Sequence, residues 1–166
     1  MRKVVSNQRT VFANALYGKM VKNKDVFLLV GDLGFGVFDQ VLKDFPDRAF
    51  NVGASEQAML DIAVGLAYQG RIPFCYSIAT FLLYRAFETL RTYINHEKLP
   101  VKLVASGRGK DYLHDGISHW SEDAKYFLDG LPNIKQIWPE YTYPDIPDDL
   151  DWMIKDPNPN FISLRR

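Results

Sequence analysis

The sequence has little with which to cross-link itself or to attract a strongly charged partner. Its 166 residues include one cysteine, Cys75, so no intramolecular disulfide can form and a reducing, cytoplasmic setting is expected. Lys and Arg together number 20, as do Asp and Glu. With no net field to gather a polyanion or an acidic bilayer, neither nucleic acid nor a membrane is expected as a partner. No apolar run approaches the roughly 18 residues that suggest a membrane span, and residues 1–9 carry no apolar segment of the secretory kind. The chain is therefore expected to be soluble and unprocessed. Internal repeats and low-complexity tracts are missing too, which leaves one ordinary domain, residues 1–166.

What is present is an alternation of two periodicities. Val11, Phe12, Ala15, Leu16 and Met20 recur with helical spacing over residues 10–22, with Asn7 or Thr10 placed to cap the start. Val26–Val30 is an unbroken apolar run closed by Gly31-Asp32, the pattern of a strand buried on both faces. Residues 37–44 are weakly helical and residues 49–52 form a second strand. A helix over 57–69 is apolar almost all round and predicts deep packing. Further strands are expected at 72–78, 101–105, 134–138 and 160–164. Between them come a long helix over 80–96, a polar loop over 106–118, a helix over 120–128, a Pro-containing stretch over 141–147 and a short acidic helix over 148–155. Strands alternating with helices predict a three-layer α/β/α fold with a mostly parallel sheet.

Four features carry chemical possibilities, and each also has a plain structural reading. Gly31-Asp32-Leu33-Gly34-Phe35-Gly36 follows a strand, yet a dinucleotide fingerprint needs a small third residue and a phosphate loop needs a Gly-Lys-Ser/Thr ending, and neither is there. It is either a bare turn or a place where Asp32 reaches a ligand at a strand's C-terminal end. Gly53-Ala54-Ser55-Glu56-Gln57 sets a carboxylate at a strand-to-helix junction, where Ser55 could cap the helix and Glu56 could favour its dipole. Phe81, Tyr84 and Phe87 recur at i, i+3 and i+6, a spacing that suits a core as well as a cofactor box. Asp115 and His119 lie in a polar loop and suit either a turn or a site.

Taken together and in order, these segments resemble a known family. Gly53-Ala54-Ser55-Glu56-Gln57, Gly65-Leu66-Ala67, Pro73-Phe74, Ala79-Thr80-Phe81, Arg85-Ala86-Phe87, Asp115-Gly116-Ile117-Ser118-His119, Glu122-Asp123 and Leu131-Pro132-Asn133-Ile134 are similar to the pyrimidine-binding (Pyr) domain of transketolase and of deoxyxylulose-phosphate synthase. The likeness spans residues 7–139, and Asn160-Phe161-Ile162-Ser163-Leu164-Arg165 resembles the closing strand of that domain. The resemblance implies thiamine diphosphate (ThDP) as cofactor. It implies that Glu56 hydrogen-bonds N1′ of the aminopyrimidine and promotes the imino tautomer that deprotonates the thiazolium. It implies that Phe81 and Tyr84 line the ring pocket with Phe87 at its edge, that Asp115 and His119 contact the donor hydroxyls, with His119 also counted as catalytic, and that Asp32 reaches the substrate.

Two departures qualify the transfer. Ser55 and Trp120 stand where transketolases often carry other residues, Trp120 where a glutamine is common, which leaves acceptor preference open. The chain also lacks a Gly-Asp-Gly followed by the asparagine pair that holds Mg²⁺ and the diphosphate, so no metal ligands are assigned to it. A separate diphosphate-binding subunit is therefore the expected partner, holding Mg²⁺ in a homodimer or higher hetero-oligomer that acts on a ketose donor and an aldose acceptor. Deoxyxylulose-phosphate synthesis, a 2-oxo acid dehydrogenase β role, and a non-catalytic interaction module are the alternatives.

Overall fold

In the computed structural model, which describes residues 7–139 and 145–166, six strands form one sheet. They are β1 (Val26–Val30), β2 (Ala49–Asn51), β3 (Ile72–Ile78), β4 (Lys102–Ser106), β5 (Lys135–Ile137) and β6 (Asn160–Leu164). Their order is β2-β1-β3-β4-β6-β5 and every pairing is parallel. The expected mostly parallel sheet is wholly parallel, and both its faces are covered, which is why the central strands read as continuous apolar runs.

Alternation along the strands divides the core in two. Val26, Leu28 and Val30 point to the face shared with Phe74, Tyr76, Val104 and Ile162, beneath α1 (Gln8–Lys22), α2 (Asp39–Asp44) and α7 (Asp145–Lys155). Leu29, Cys75, Leu103 and Phe161 point the other way, beneath α3 (Glu56–Tyr68), α4 (Ala79–Tyr84) and α6 (Ala124–Asp129). A Leu or Phe side chain buried in this manner contributes about 1.5–3 kcal/mol. The result is the three-layer α/β/α architecture that the sequence pattern predicts. Asn7 caps α1 by accepting the Thr10 N–H at 2.8 Å, and no helix among the described residues is long and apolar enough to cross a membrane.

The chain runs from β1 outward to β2, then returns past β1 to β3 on its other side. The crevice beyond the C-terminal ends of β1 and β3 is therefore the topological switch point, where open α/β sheets place their ligands.

Three expectations need correction. The helix over 80–96 is not continuous: α4 stops at Tyr84, Ala86 leaves helical geometry (φ −112°, ψ 31°), and α5 (Phe87–Thr89) leads into a π-helical stretch, Leu90–His96. Burial of Ala86 and the inward turn of Arg85 outweigh a spacing that suits one straight helix. The second concerns α3, which is not packed all round, since Gln57, Ala58, Asp61, Ile62 and Gly65 form an exposed face. Finally, residues 120–123 are not helical, and α6 begins only at Ala124 because the Ser121 N–H is engaged by Gly109 O across an isolated bridge. Part of the Pro-containing stretch, residues 141–144, lies outside the described residues.

Candidate functional site

Glu56 is the first residue of α3, and its side chain turns toward the sheet rather than to solvent. Only 1% of the residue is exposed. Ser55 occupies the N-cap position but makes no capping bond with its hydroxyl, so capping accounts for neither residue. Glu56 Oε1 accepts a hydrogen bond from Ser77 Oγ at 2.8 Å, at the end of β3. Its Oε2 accepts one from Arg85 at 2.8 Å, just past the end of α4. The buried carboxylate thus has a partner on each oxygen, as burial of a charge requires. The guanidinium is 45% exposed, so water screens part of this pairing.

Arg85 also lies over the Phe81 ring, its guanidinium carbon 3.7 Å from the ring centroid. Phe81 and Arg85 are one helical turn apart, which places the cation over the ring. Gly31, Asp32, Ala54, Glu56, Phe81 and Arg85 are among the walls of a cavity of about 200 Å³. A Cβ on Gly31 would stand 3.2 Å from Ser77 Oγ and 3.3 Å from Glu56 Oε1, so glycine here keeps the space beside that oxygen open.

Asp32 borders this cavity from the end of β1, in the left-handed region at φ 51°. Its N–H donates to Asn51 Oδ1 at 3.1 Å, and the same oxygen accepts the Gly53 N–H at 3.0 Å. His119 packs against Phe81 from the loop after β4: its ring meets Phe81 edge-on at 4.8 Å, while its Nδ1 is 2.9 Å from Ser118 Oγ. Thr80 Oγ1 donates to Ser118 O at 2.6 Å and ties that loop to α4.

The other residues named from sequence lie apart. Tyr84 lines a second cavity, about 440 Å³, with Thr80, Ile117, Trp120, Glu122 and Asp123. Its hydroxyl is buried without a hydrogen bond of good geometry, and burial, followed by the Asp123 carboxylate, raises its pKa. Phe87 packs edge-on against Phe127 at 5.3 Å, as Tyr84 does at 4.9 Å. Asp115 is exposed in a 3-10 turn, Leu113–Asp115, and touches neither cavity wall. The structure therefore brings Glu56, Phe81 and Asp32 together on one cavity, sets His119 against Phe81, and leaves Tyr84, Phe87 and Asp115 outside that cavity.

Ser77 and Arg85 join the site without being marked by the sequence motifs as site residues. A hydroxyl in the apolar run Ile72–Ile78 was the available signal, because a buried polar group needs a partner. For Arg85 the signal was its place four residues after Phe81.

Residues 6–166 match the family model described as the transketolase, pyrimidine binding domain. The chain belongs to that family. A putative transketolase C-terminal section from Methanocaldococcus jannaschii is 39% identical over 101 residues, which are 61% of this chain and 32% of that protein. A probable chloroplastic 1-deoxy-D-xylulose-5-phosphate synthase from Capsicum annuum is 33% identical over 126 residues, 75% of this chain and 17% of that protein. Among solved structures, a split gene transketolase described as an inactive β4 tetramer is 29% identical with a TM-score of 0.82, covering 96% of this chain and 51% of that one. The Pyr domain thus spans well under two thirds of each of these proteins.

The residues present suit the aminopyrimidine half of ThDP. A buried carboxylate is available to a ring nitrogen, an aromatic ring forms a wall, and the open space at Gly31 lies beside Glu56 Oε1. Among the described residues, no three of His, Cys, Asp and Glu are grouped to hold a metal ion.

Proposed function

We propose that this Pyr domain is the aminopyrimidine-binding half of a split, ThDP-dependent transketolase that moves a two-carbon ketol unit from a ketose donor to an aldose acceptor. The observation that carries the reading is the Glu56 carboxylate, buried at the switch point and opening on a cavity walled by Phe81. When bound, ThDP supplies a thiazolium that stabilises a carbanion at the donor carbon. Glu56 holds the ring by a hydrogen bond to a ring nitrogen and shares a proton with it. Phe81 gives the flat ring an apolar wall. Asp32, on the cavity wall, and His119, packed against Phe81, would orient the donor's hydroxyl groups, with Asp115 farther along the His119 loop.

A separate diphosphate-binding subunit would hold Mg²⁺ and the diphosphate, and the active particle would be a hetero-oligomer in the cytoplasm. The similarity to a protein described as a C-terminal section, and to a split gene transketolase described as an inactive β4 tetramer, supports the partner requirement. A second reading, deoxyxylulose-phosphate synthase-like chemistry, is favoured by the 33% identity to the Capsicum annuum protein.

The deciding experiment is a calorimetric titration of ThDP with Mg²⁺ into this chain alone and into an equimolar mixture with a diphosphate-binding transketolase subunit. Binding is expected only in the mixture, with ketol transfer that falls at least about 100-fold in Glu56→Ala. Turnover of a 2-oxo acid donor in place of a ketose would favour the second reading. A stable complex that neither binds ThDP nor turns over any donor would make the chain an interaction module instead.

A further inference from the structure

The Glu56 carboxylate is held asymmetrically. Its Oε2 faces a guanidinium, which can only donate and carries a fixed positive charge. Placing a proton on that oxygen would set an O–H against the cation. Its Oε1 accepts from the Ser77 hydroxyl and borders the space that Gly31 leaves without a side chain. The two oxygens are therefore not equivalent.

We infer that Arg85 is a positioning residue that anchors Glu56 by Oε2 and so assigns proton exchange with the cofactor's ring nitrogen to Oε1. This rests on the proposed aminopyrimidine site. The exchange would balance without a further reactant: a proton carried by the ring nitrogen would pass to Oε1 and return along the same hydrogen bond, while Oε2 stays paired with the guanidinium. Ser77 donates to Oε1 throughout.

Arg85 is suited to this task by its own restraints. Its guanidinium lies against the Phe81 ring, so it keeps its place as the carboxylate changes charge. It stands where α4 ends, not within a continuous helix, and that break lets its side chain turn inward to α3. Among the described residues, the charged groups on the cavity wall beside Glu56 are Arg85 and Asp32, with His119 packed on Phe81. On its own helix, Asp61 is engaged by Gln57 and Thr89. Arg85 is thus the one cation on the cavity wall among the described residues.

The test uses the complex with a diphosphate-binding subunit and compares Arg85→Met, Arg85→Lys, Ser77→Ala and Glu56→Ala with the wild type. Calorimetry in buffers of different ionisation enthalpy gives both the ThDP affinity and the protons taken up on binding, as a function of pH. Arg85→Met should weaken ThDP binding at least tenfold and change the number of protons taken up on binding. Arg85→Lys should return both to near the wild-type values. Ser77→Ala should lower kcat more than ThDP affinity. Unchanged ThDP affinity and unchanged proton uptake in Arg85→Met, with Glu56→Ala inactive, would overturn the role of Arg85 and leave the site reading intact. Undiminished ThDP affinity and turnover in Glu56→Ala would overturn both.

Discussion

Lys102 and Asn160 face one another across the β4–β6 register, and Lys102 Nζ donates to Asn160 Oδ1 at 2.7 Å. The ammonium also donates to the carbonyl oxygens of Asp156 and Asn158, at 2.8 and 2.7 Å, so its three protons all have acceptors although the residue is fully buried. Asp156 in turn pairs with Lys135 and accepts from Asn158 and Asn160. This cluster pins the start of the closing strand, β6, to the start of β4, at the end of the sheet opposite the site.

Burial pushes Lys102 from 10.5 down to about 7, the Asp156 carboxylate opposing that shift and the Lys135 charge adding to it. The unfolded chain then binds more protons than the folded one between about pH 7 and pH 10.5, so stability should rise with pH across that window. The slope from this one group is at most about 1.4 kcal/mol per pH unit. Urea unfolding of the wild type and Lys102→Met at pH 7, 8 and 9 measures it. The gap should move in the wild type's favour as pH rises, and parallel curves would show that Lys102 titrates alike in both states.

Gly107 makes room for Tyr112. It sits at φ 84°, and a Cβ there would come within 2.3 Å of the Tyr112 ring, whose hydroxyl lies 2.6 Å from Ser106 Oγ. Gly107→Ala should therefore destabilise the fold by about 1–3 kcal/mol and displace the ring. Tyr112 also lies 5.9 Å from the His119 ring, so the His119 resonances should shift in the NMR spectrum. Unchanged stability and unchanged His119 shifts would remove this coupling between the strand end and the site loop.

Much of this arrangement was legible in the residues, and the parts that were not share a cause. Val26–Val30 announced a strand buried on both faces, and Gly53-Ala54-Ser55-Glu56 announced a carboxylate at a strand-to-helix junction. The break after Tyr84 was not legible, because Phe81, Tyr84, Phe87, Leu90 and Ile94 keep helical spacing through it, and the cause is a tertiary pair, Arg85 with Glu56. The exposed face of α3 was hidden in the same way: composition records that Ala58 and Ile62 are small or apolar, not what covers them. Tyr84 and Phe87 shared a sequence rhythm with Phe81, yet only Phe81 meets Glu56's cavity: Tyr84, still within α4, and Phe87, past the break, both pack against Phe127.

Asn51 holds the two loops that frame the site. Its Oδ1 accepts the N–H groups of Asp32 and Gly53, so one side chain fixes the turn after β1 and the turn that leads into Glu56. Asp32 is held in the left-handed region, which a non-glycine residue adopts only with support from its surroundings. Asn51→Ala removes both bonds and should lower stability by about 1–3 kcal/mol. Asn51→Asp keeps the acceptor and should restore most of the loss. In the proposed complex, Asp32 stands on the donor side of the cavity, so Asn51→Ala should raise the KM for the ketose several-fold while changing ThDP affinity little. An equal loss of both affinities would place Asn51 behind Glu56 rather than behind Asp32.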